Sequence, residues 1–383
     1  MNTISYMTKK NYRAVDLFCG CGGISRGLEM AGFSILAGID IEKKYLQTFE
    51  HNFPTAKAIC EDLRNINAEN LLSSFGIKRG ELELLVGGPP CQGFSKNVPR
   101  SKREANSNNN LLMETYLDFC EKIYPLWIMI ENVAEMRNGF DAKYTQKINE
   151  KLKAIGYEVV DNVFNSADYG VPQKRRRAFF LARRDGAILE PPKPSYFKKE
   201  IGLGFDENNY ISVWEAISDF PSIKQGEGIE PGKYICSPKS KYQEAMRSEK
   251  GEYYNHIARK LQPIQNERIL ALKPGQGIKN LPNELKPKSG YSGAYGILEK
   301  DMICPTITRW VFHPGSGRWG HPVDKRIITI REAARLHGYN DDFRFIGSYN
   351  DQAGQIGNSV PPILARQIVE SFLTTSKCSV VRP

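Results

Sequence analysis

Hydrophobic and polar positions follow two textures along this chain, and the change between them falls near Pro191. Before it, short apolar runs are separated by stretches with helical spacing. Runs at 13–19, 34–39, 57–60, 82–86, 126–130, 157–164 and 178–182 predict strands. Residues 23–31 keep apolar side chains on one helical face and stop at Gly32, and residues 42–52 repeat that pattern after the second strand. Such alternation predicts an α/β fold: a doubly wound, mostly parallel sheet with ligands at the carboxyl ends of its strands. From 191 to about 323 the chain is rich in Gly, Pro and Tyr and has few long periodic segments. Helices are expected over 210–220 and, after Pro263, over 264–272; the remainder reads as loops and short strands of a second, irregular domain. Helical spacing returns over 329–337, followed by Gly338, and over 362–373. No internal repeat is visible, and the one biased tract is Asn106 to Asn110.

Composition narrows the class only a little. A length of 383 residues suits one large domain plus a smaller one. Lys and Arg number 53 against 43 Asp and Glu, a net charge of +10. That excess suits a polyanion, but many soluble proteins are basic, so charge alone does not single out nucleic acid. Eight cysteines in so long a chain do not make a disulfide scaffold. Cys60, Cys120 and Cys304 sit in apolar surroundings, and no pair of C-x-x-C elements points to zinc. Reduced thiols in an intracellular compartment are expected, with no metal. Residues 1–13 lack an apolar signal core and no run approaches membrane-spanning length, so a soluble, cytoplasmic protein is expected.

Two turns carry the candidate chemistry. Asp16 to Gly23 joins the first strand to the first helix; its glycines let backbone approach a ligand, and the helix start offers free N–H groups. Asp40, twenty residues after Gly20, ends the second strand, where a carboxylate can accept from ribose hydroxyls. Asp62, after the third strand, is placed to reach an adenine amino group. Nicotinamide, flavin and S-adenosylmethionine binders share this arrangement, and a tight turn without ligand is the plainer reading. The full G-x-G-x-x-G form is missing, which counts mildly against a dinucleotide.

The second turn is Gly87-Gly88-Pro89-Pro90-Cys91-Gln92-Gly93-Phe94-Ser95, just past the fourth strand. Cys91 there is a nucleophile, a redox thiol or a buried structural cysteine. Three elements bear on the choice. Glu131 ends a buried strand, and desolvation there should raise its pKa, which suits a general acid; by itself it reads as a solvated helix start. Arg175 and Arg177, two residues apart before the strand at 178–182, share a face if that strand begins early, and a cation nearby favours thiolate. A solvated basic run explains them as readily. Residues 94–110 form a long polar loop with Lys96, Arg100, Lys102 and Arg103, a lid whose charge suits phosphates or a plain surface loop.

Taken in order, these elements resemble the bacterial DNA cytosine C5-methyltransferases. The resemblance rests on Asp16-Leu17-Phe18 with Gly20 and Gly22-Gly23, Pro89-Pro90-Cys91-Gln92, Glu131-Asn132-Val133, 165–172 with Asp168-Tyr169-Gly170, and Gln173-Lys174-Arg175-Arg176-Arg177. Residues 331–336 (a stretch that alone reads as an amphipathic helix) and 355–360 complete it. It covers the first ~190 residues and the last ~60. Ser107 to Asn110 stands where the family often has Asp-x-Arg-Gly or Asp-x-Arg-Asn, which leaves the closing contacts of the cysteine loop open.

The resemblance implies a class I S-adenosylmethionine-dependent methyltransferase fold, Rossmann-like, formed by 1–190 and completed by 325–383, with a target-recognition domain over 191–324. It implies Cys91 as the nucleophile that adds to cytosine C6, Glu131 as the acid near N3, Arg177 at the cytosine carbonyl and Arg175 at a phosphate or the ring. Cofactor residues carried over are Phe18, Gly20, Gly22, Asp40, Ile41, Asp62, Leu63, Pro90, Leu112, Asn358 and Val360. Gln92, Ser95, Lys96, Arg100 and Thr306 are expected at DNA. The implied substrate is a cytosine flipped from double-stranded DNA, in a restriction–modification or defence setting, with a monomeric enzyme and a restriction endonuclease acting separately. A tRNA-methylating branch of the family and a non-catalytic DNA-binding regulator are the alternatives; the second predicts a missing nucleophile or acid, and Cys91 and Glu131 are both present. A nicotinamide oxidoreductase is excluded only by the later motifs. The target sequence is not readable, because direct readout depends on a few loop side chains.

Overall fold

A computed structural model of the chain describes residues 11–90, 108–138, 142–198 and 209–375. The elements, in order, are β1 (Arg13–Leu17), α1 (Gly23–Met30), β2 (Ser34–Asp40), α2 (Lys43–Asn52), β3 (Lys57–Cys60), α3 (Ala68–Ser73), β4 (Leu84–Gly87), α4 (Asn108–Ile123), β5 (Trp127–Val133), α5 (Glu135–Asn138), α6 (Lys143–Ala154), β6 (Glu158–Asn165) and β7 (Arg176–Arg183). They are followed by α7 (Val213–Ile217), β8 (Gly232–Lys233), α8 (Lys241–Met246), β9 (Glu252–Tyr253), α9 (Pro263–Leu270), α10 (Ile330–Leu336), α11 (Tyr349–Asn358) and α12 (Pro362–Thr375).

Seven of the strands form one sheet in the order β3-β2-β1-β4-β5-β7-β6. Pairings from β3 to β5 are parallel, and β7 runs antiparallel to both its neighbours. Strand periodicity divides the core between the two faces. Ala14, Ile35, Leu84, Val86 and Met129 face a cluster that holds α1 and α12 side chains such as Leu28 and Leu364. Val15, Leu17, Leu85, Ile128 and Ile130 face the other cluster, with Leu71 of α3, Tyr116 of α4 and Leu152 of α6. The first cluster continues without a break through Val213, Tyr253 and Ile307 to α10.

Several expectations shift here. The helix expected over 210–220 is one short turn, α7, opened by a capping box between Ser212 and Glu215. Helices α4, α6 and α11 were not among those predicted from spacing; α4 begins inside the Asn-rich tract. The amphipathic reading of 331–336 fails outright, since every residue of α10 is buried. Arg335 pairs with Asp219 at 3.1 Å and with Asp341, and Arg326 holds Glu332 at 2.7 Å. Polar letters inside a buried helix are stable because each charge meets an opposite one. Cys60 is exposed rather than in apolar surroundings, whereas Cys120 and Cys304 are buried. Among the described residues, no helix is long and apolar enough to cross a membrane.

Candidate active site

The carboxyl ends of β1, β2, β4 and β5 bring the two turns together. After β1 the backbone coils tightly: Phe18, Gly20 and Gly22 all have positive φ, at 63°, 55° and 94°. Glycine takes that region at little cost, whereas Phe18 must be held there by its surroundings. The Gly20 amide donates to Asp40 Oδ2 and the Glu42 amide to Asp40 Oδ1, both at 2.8 Å. Asp40 thus fastens the glycine loop to the end of β2, while burial raises its pKa. Beside it Ile41 is 63% exposed, and a Cβ placed on Gly20 would meet nothing within 4 Å. The loop therefore faces open space bordered by a bare apolar side chain, which suits a flat, partly apolar ligand.

Asp62 follows β3, next to Glu61 whose amide donates to the Asp40 carbonyl at 3.2 Å, and stands at the N-terminus of a 3-10 turn over Leu63–Asn65. Its carboxylate accepts from the Arg64 amide at 3.0 Å and pairs with the Arg64 guanidinium at 2.6 Å, which together hold its pKa down to about 2. Leu63 is buried behind it and Pro90 is half-buried. From the C-terminal side Val360 is buried, and exposed Asn358 reaches the Tyr45 hydroxyl through Nδ2 at 3.4 Å. Tyr45, one turn into α2, carries no motif and was missed by the sequence reading. Leu112 lies half-buried in the first turns of α4. Asp16 was quoted as part of the loop but given no role. It is fully buried, accepts from Ser25 Oγ through Oδ2 at 2.6 Å, and has no partner at Oδ1 among the described residues; burial pushes its pKa to about 7.

The double-proline turn leaves β4 beside Glu131. A Cβ on Gly88 would lie 3.0 Å from Glu131 Oε2, and Asn132 Nδ2 donates to the Pro89 carbonyl at 3.0 Å. Strand β5 runs on through Val133, further than its apolar run predicted, and so carries Glu131 and Asn132 to the turn. Glu131 is opposite Phe179 in the antiparallel ladder, which makes Arg177 its diagonal neighbour on the same face. Arg177 Nε meets Glu131 Oε1 at 2.9 Å. Burial raises the Glu131 pKa, and the Arg177 charge opposes that rise without cancelling it. Cys91, Gln92, Ser95, Lys96 and Arg100 lie outside the described residues.

Arg175 behaves differently from Arg177. Strand β7 begins at Arg176, so the shared face expected of the two arginines is not continued to Arg175. Its buried guanidinium donates to the carbonyls of Ile307 (3.1 Å), Gly357 (3.0 Å) and Ser359 (2.9 Å). Gln173 works beside it: Oε1 accepts from the Ile307 amide at 2.9 Å and Nε2 lies 2.9 Å from His337 Nδ1. The Gln173 amide is a donor, so His337 Nδ1 accepts and Nε2–H points to the Ser359 carbonyl at 3.1 Å. Burial drives this imidazole well below its usual pKa, consistent with a neutral ring. Thr306, exposed, donates to the Lys174 carbonyl at 2.5 Å. One buried network thus ties 173–175, 306–307 and 357–359 into a single block.

Sheet order, the glycine loop at the end of β1 and the acidic end of β2 define a class I S-adenosylmethionine-dependent methyltransferase fold. Residues 12–374 match the family model of the C-5 cytosine-specific DNA methylases. The chain is 33% identical to the Type II methyltransferase M1.HphI of Haemophilus parahaemolyticus, over 94% of this chain and 86% of that protein. It is 32% identical to the Type II methyltransferase M.DdeI of Desulfomicrobium norvegicum, over 93% and 87%. A prophage-encoded E. coli protein, solved as a candidate DNA modification methyltransferase, shares the fold with a TM-score of 0.76 at 24% identity, over 96% of this chain and 99% of that one. The chain belongs to the C-5 cytosine-specific DNA methylase family and is a DNA (cytosine-5)-methyltransferase.

Proposed function

We propose that this enzyme methylates C5 of a cytosine flipped out of double-stranded DNA, by way of a covalent bond between Cys91 Sγ and cytosine C6. The observation that carries the reading is the half-buried Glu131–Arg177 pair, set against Gly88 of the turn that leads into Cys91. Cytosine C5 is a weak carbon nucleophile. Addition of the Cys91 thiolate forms the S–C6 bond and moves the C5–C6 π electrons into the ring, while Glu131 delivers a proton to N3. A carboxyl whose pKa is raised by burial holds that proton at higher pH than a solvated one. Arg177 steadies the ring carbonyl and anchors Glu131. S-adenosylmethionine, when bound, supplies an electrophilic methyl group. Loss of the C5 proton to a base and expulsion of the Cys91 thiolate restore the C5–C6 double bond, and the N3 proton returns to Glu131. A stacked base is out of reach of this chemistry, hence the flip.

Phe18, Gly20, Gly22, Asp40, Ile41, Asp62, Leu63, Pro90, Leu112, Asn358 and Val360 would hold the methyl donor. The open space above Gly20 and the bare side chain of Ile41 support that assignment. Residues 191–324 are proposed to read the DNA sequence, with Gln92, Ser95, Lys96, Arg100 and Thr306 near the flipped nucleotide. The setting proposed is restriction–modification, with a monomeric cytoplasmic enzyme and a separate endonuclease. Expression in a methylation-free host followed by bisulfite sequencing tests this. Protected cytosines in one short motif are expected, and the Cys91→Ala variant should leave none. A fully converted genome from folded wild-type protein, or methylation that survives Cys91→Ala, refutes the mechanism.

A further inference from the structure

The chain has four tryptophans, and they are not equivalent. Trp127 and Trp319 are 1% and 2% exposed, and Trp214 is half-buried under Lys300. Trp310 is 50% exposed. It stands four residues beyond Thr306 on a backbone that is fastened at every step. The Ile307 amide and carbonyl are held by Gln173 and Arg175. A Cβ on Gly357 would overlap the backbone of Thr308 and Arg309, so that stretch lies flush against the end of α11, next to Asn358. The Trp310 amide donates to Thr308 Oγ1 at 3.3 Å, and its carbonyl accepts from Ser316 Oγ at 2.5 Å and from the His313 amide at 2.9 Å. A large ring left in water on a rigid backbone costs little entropy to dock, unlike a ring on a flexible loop.

Its neighbours are cationic and aromatic by turns. The Arg309 guanidinium lies 5.0 Å from the Trp310 ring centroid, the Phe312 ring is centred 5.7 Å from it, and Arg259 covers Phe312 at 4.9 Å. No carboxylate pairs with Arg309 among the described residues. Cations that interleave with rings suit a ligand offering both phosphates and flat π faces. The geometry points to Trp310 as a DNA-stacking residue: its exposed ring packs against a base or sugar flanking the target cytosine, while Arg309 and Arg259 meet the backbone phosphates. This rests on the DNA-methylating function proposed above and adds to it a specific contact outside the family motifs.

Tryptophan emission reads the contact directly, because Trp310 is the most exposed of the four indoles. The full chain is titrated with a duplex carrying the motif found by bisulfite sequencing, and with sonicated DNA. Quenching is expected with wild type and should largely vanish in Trp310→Phe. Trp310→Ala should weaken DNA binding by about 5- to 150-fold, the range of one base–aromatic stack. Trp310→Phe should recover most of that loss, and the KM for S-adenosylmethionine should stay unchanged in both. Quenching that persists in Trp310→Phe, or a Trp310→Ala protein with wild-type DNA affinity and a wild-type melting temperature, overturns the assignment. A wild type that methylates nothing refutes the function; its quenching by sonicated DNA, compared with that of Trp310→Phe, still decides the role of Trp310.

Discussion

Arg175→Met separates a brace from a substrate contact. In the native protein the guanidinium is buried, its charge disfavoured by burial and answered by the carbonyls of Ile307, Gly357 and Ser359. A hydrogen bond to a charged group contributes about 1.5–3 kcal/mol, and three are lost together. Against that, methionine removes a buried charge whose desolvation costs several kcal/mol. The net expectation is a loss of about 2–4 kcal/mol in unfolding free energy. Loosening of 307 and 357–359 should also raise the KM for DNA and for S-adenosylmethionine together. Arg177→Met should do the opposite: Glu131 escapes an unpaired charge by taking a proton, so stability falls less while methyl transfer collapses. Urea unfolding midpoints set beside radiolabelled methyl-transfer kinetics test both variants. An Arg175→Met protein that unfolds at the wild-type urea concentration yet transfers no methyl refutes the brace, and would place Arg175 at the DNA.

Other consequences are as concrete. Asp16, with a native pKa of about 7 against an ordinary 3.8, keeps a proton that the unfolded chain has released; its own contribution to stability is therefore fully present below the ordinary carboxylate range and is lost, by about 4 kcal/mol, as pH rises to and through 7. Asp16→Asn should flatten that part of the stability–pH curve measured by urea midpoints, and an unchanged slope would contradict it. Gly357→Ala forces a methyl group into the backbone at 308–309 and should cost about 1–3 kcal/mol while raising the KM for DNA. Thermal melting and methylation kinetics that match wild type would show that this close approach is not needed.

Local pattern made much of the methylase half legible. The runs expected as strands at 13–19 and 82–86 contain β1 and β4, which lie mid-sheet and are almost wholly buried, whereas 57–60 is β3, an edge strand with exposed ends that is set off by the turns around it. Gly20, Gly22 and the double proline stood out because turns need those residue types wherever they occur. Less was legible where polar residues are buried. Arg331, Glu332 and Arg335 look like the wet side of a helix, and only Asp219, Arg326 and Asp341 explain why they are not. Helix α4 was hidden by the Asn-rich tract at its start, and α11 by its many polar letters, which leave few apolar positions to mark a helical face.

The amino-acid order by itself determined the strand–helix alternation, the two turns and the set of residue types they present, because each depends on neighbours a few positions apart. Tertiary structure alone decided the partners. It set β7 antiparallel between β5 and β6, and that ladder carries Arg177 diagonally onto Glu131. It turned Arg175 inward to join segments 132 to 184 residues away, and fastened Thr308 and Arg309 against Gly357 so that Trp310 stands in water. Spacing along a chain reports which face a side chain can take. Whether a charge on that face meets water, a carboxylate or three carbonyls depends on what the rest of the chain packs against it.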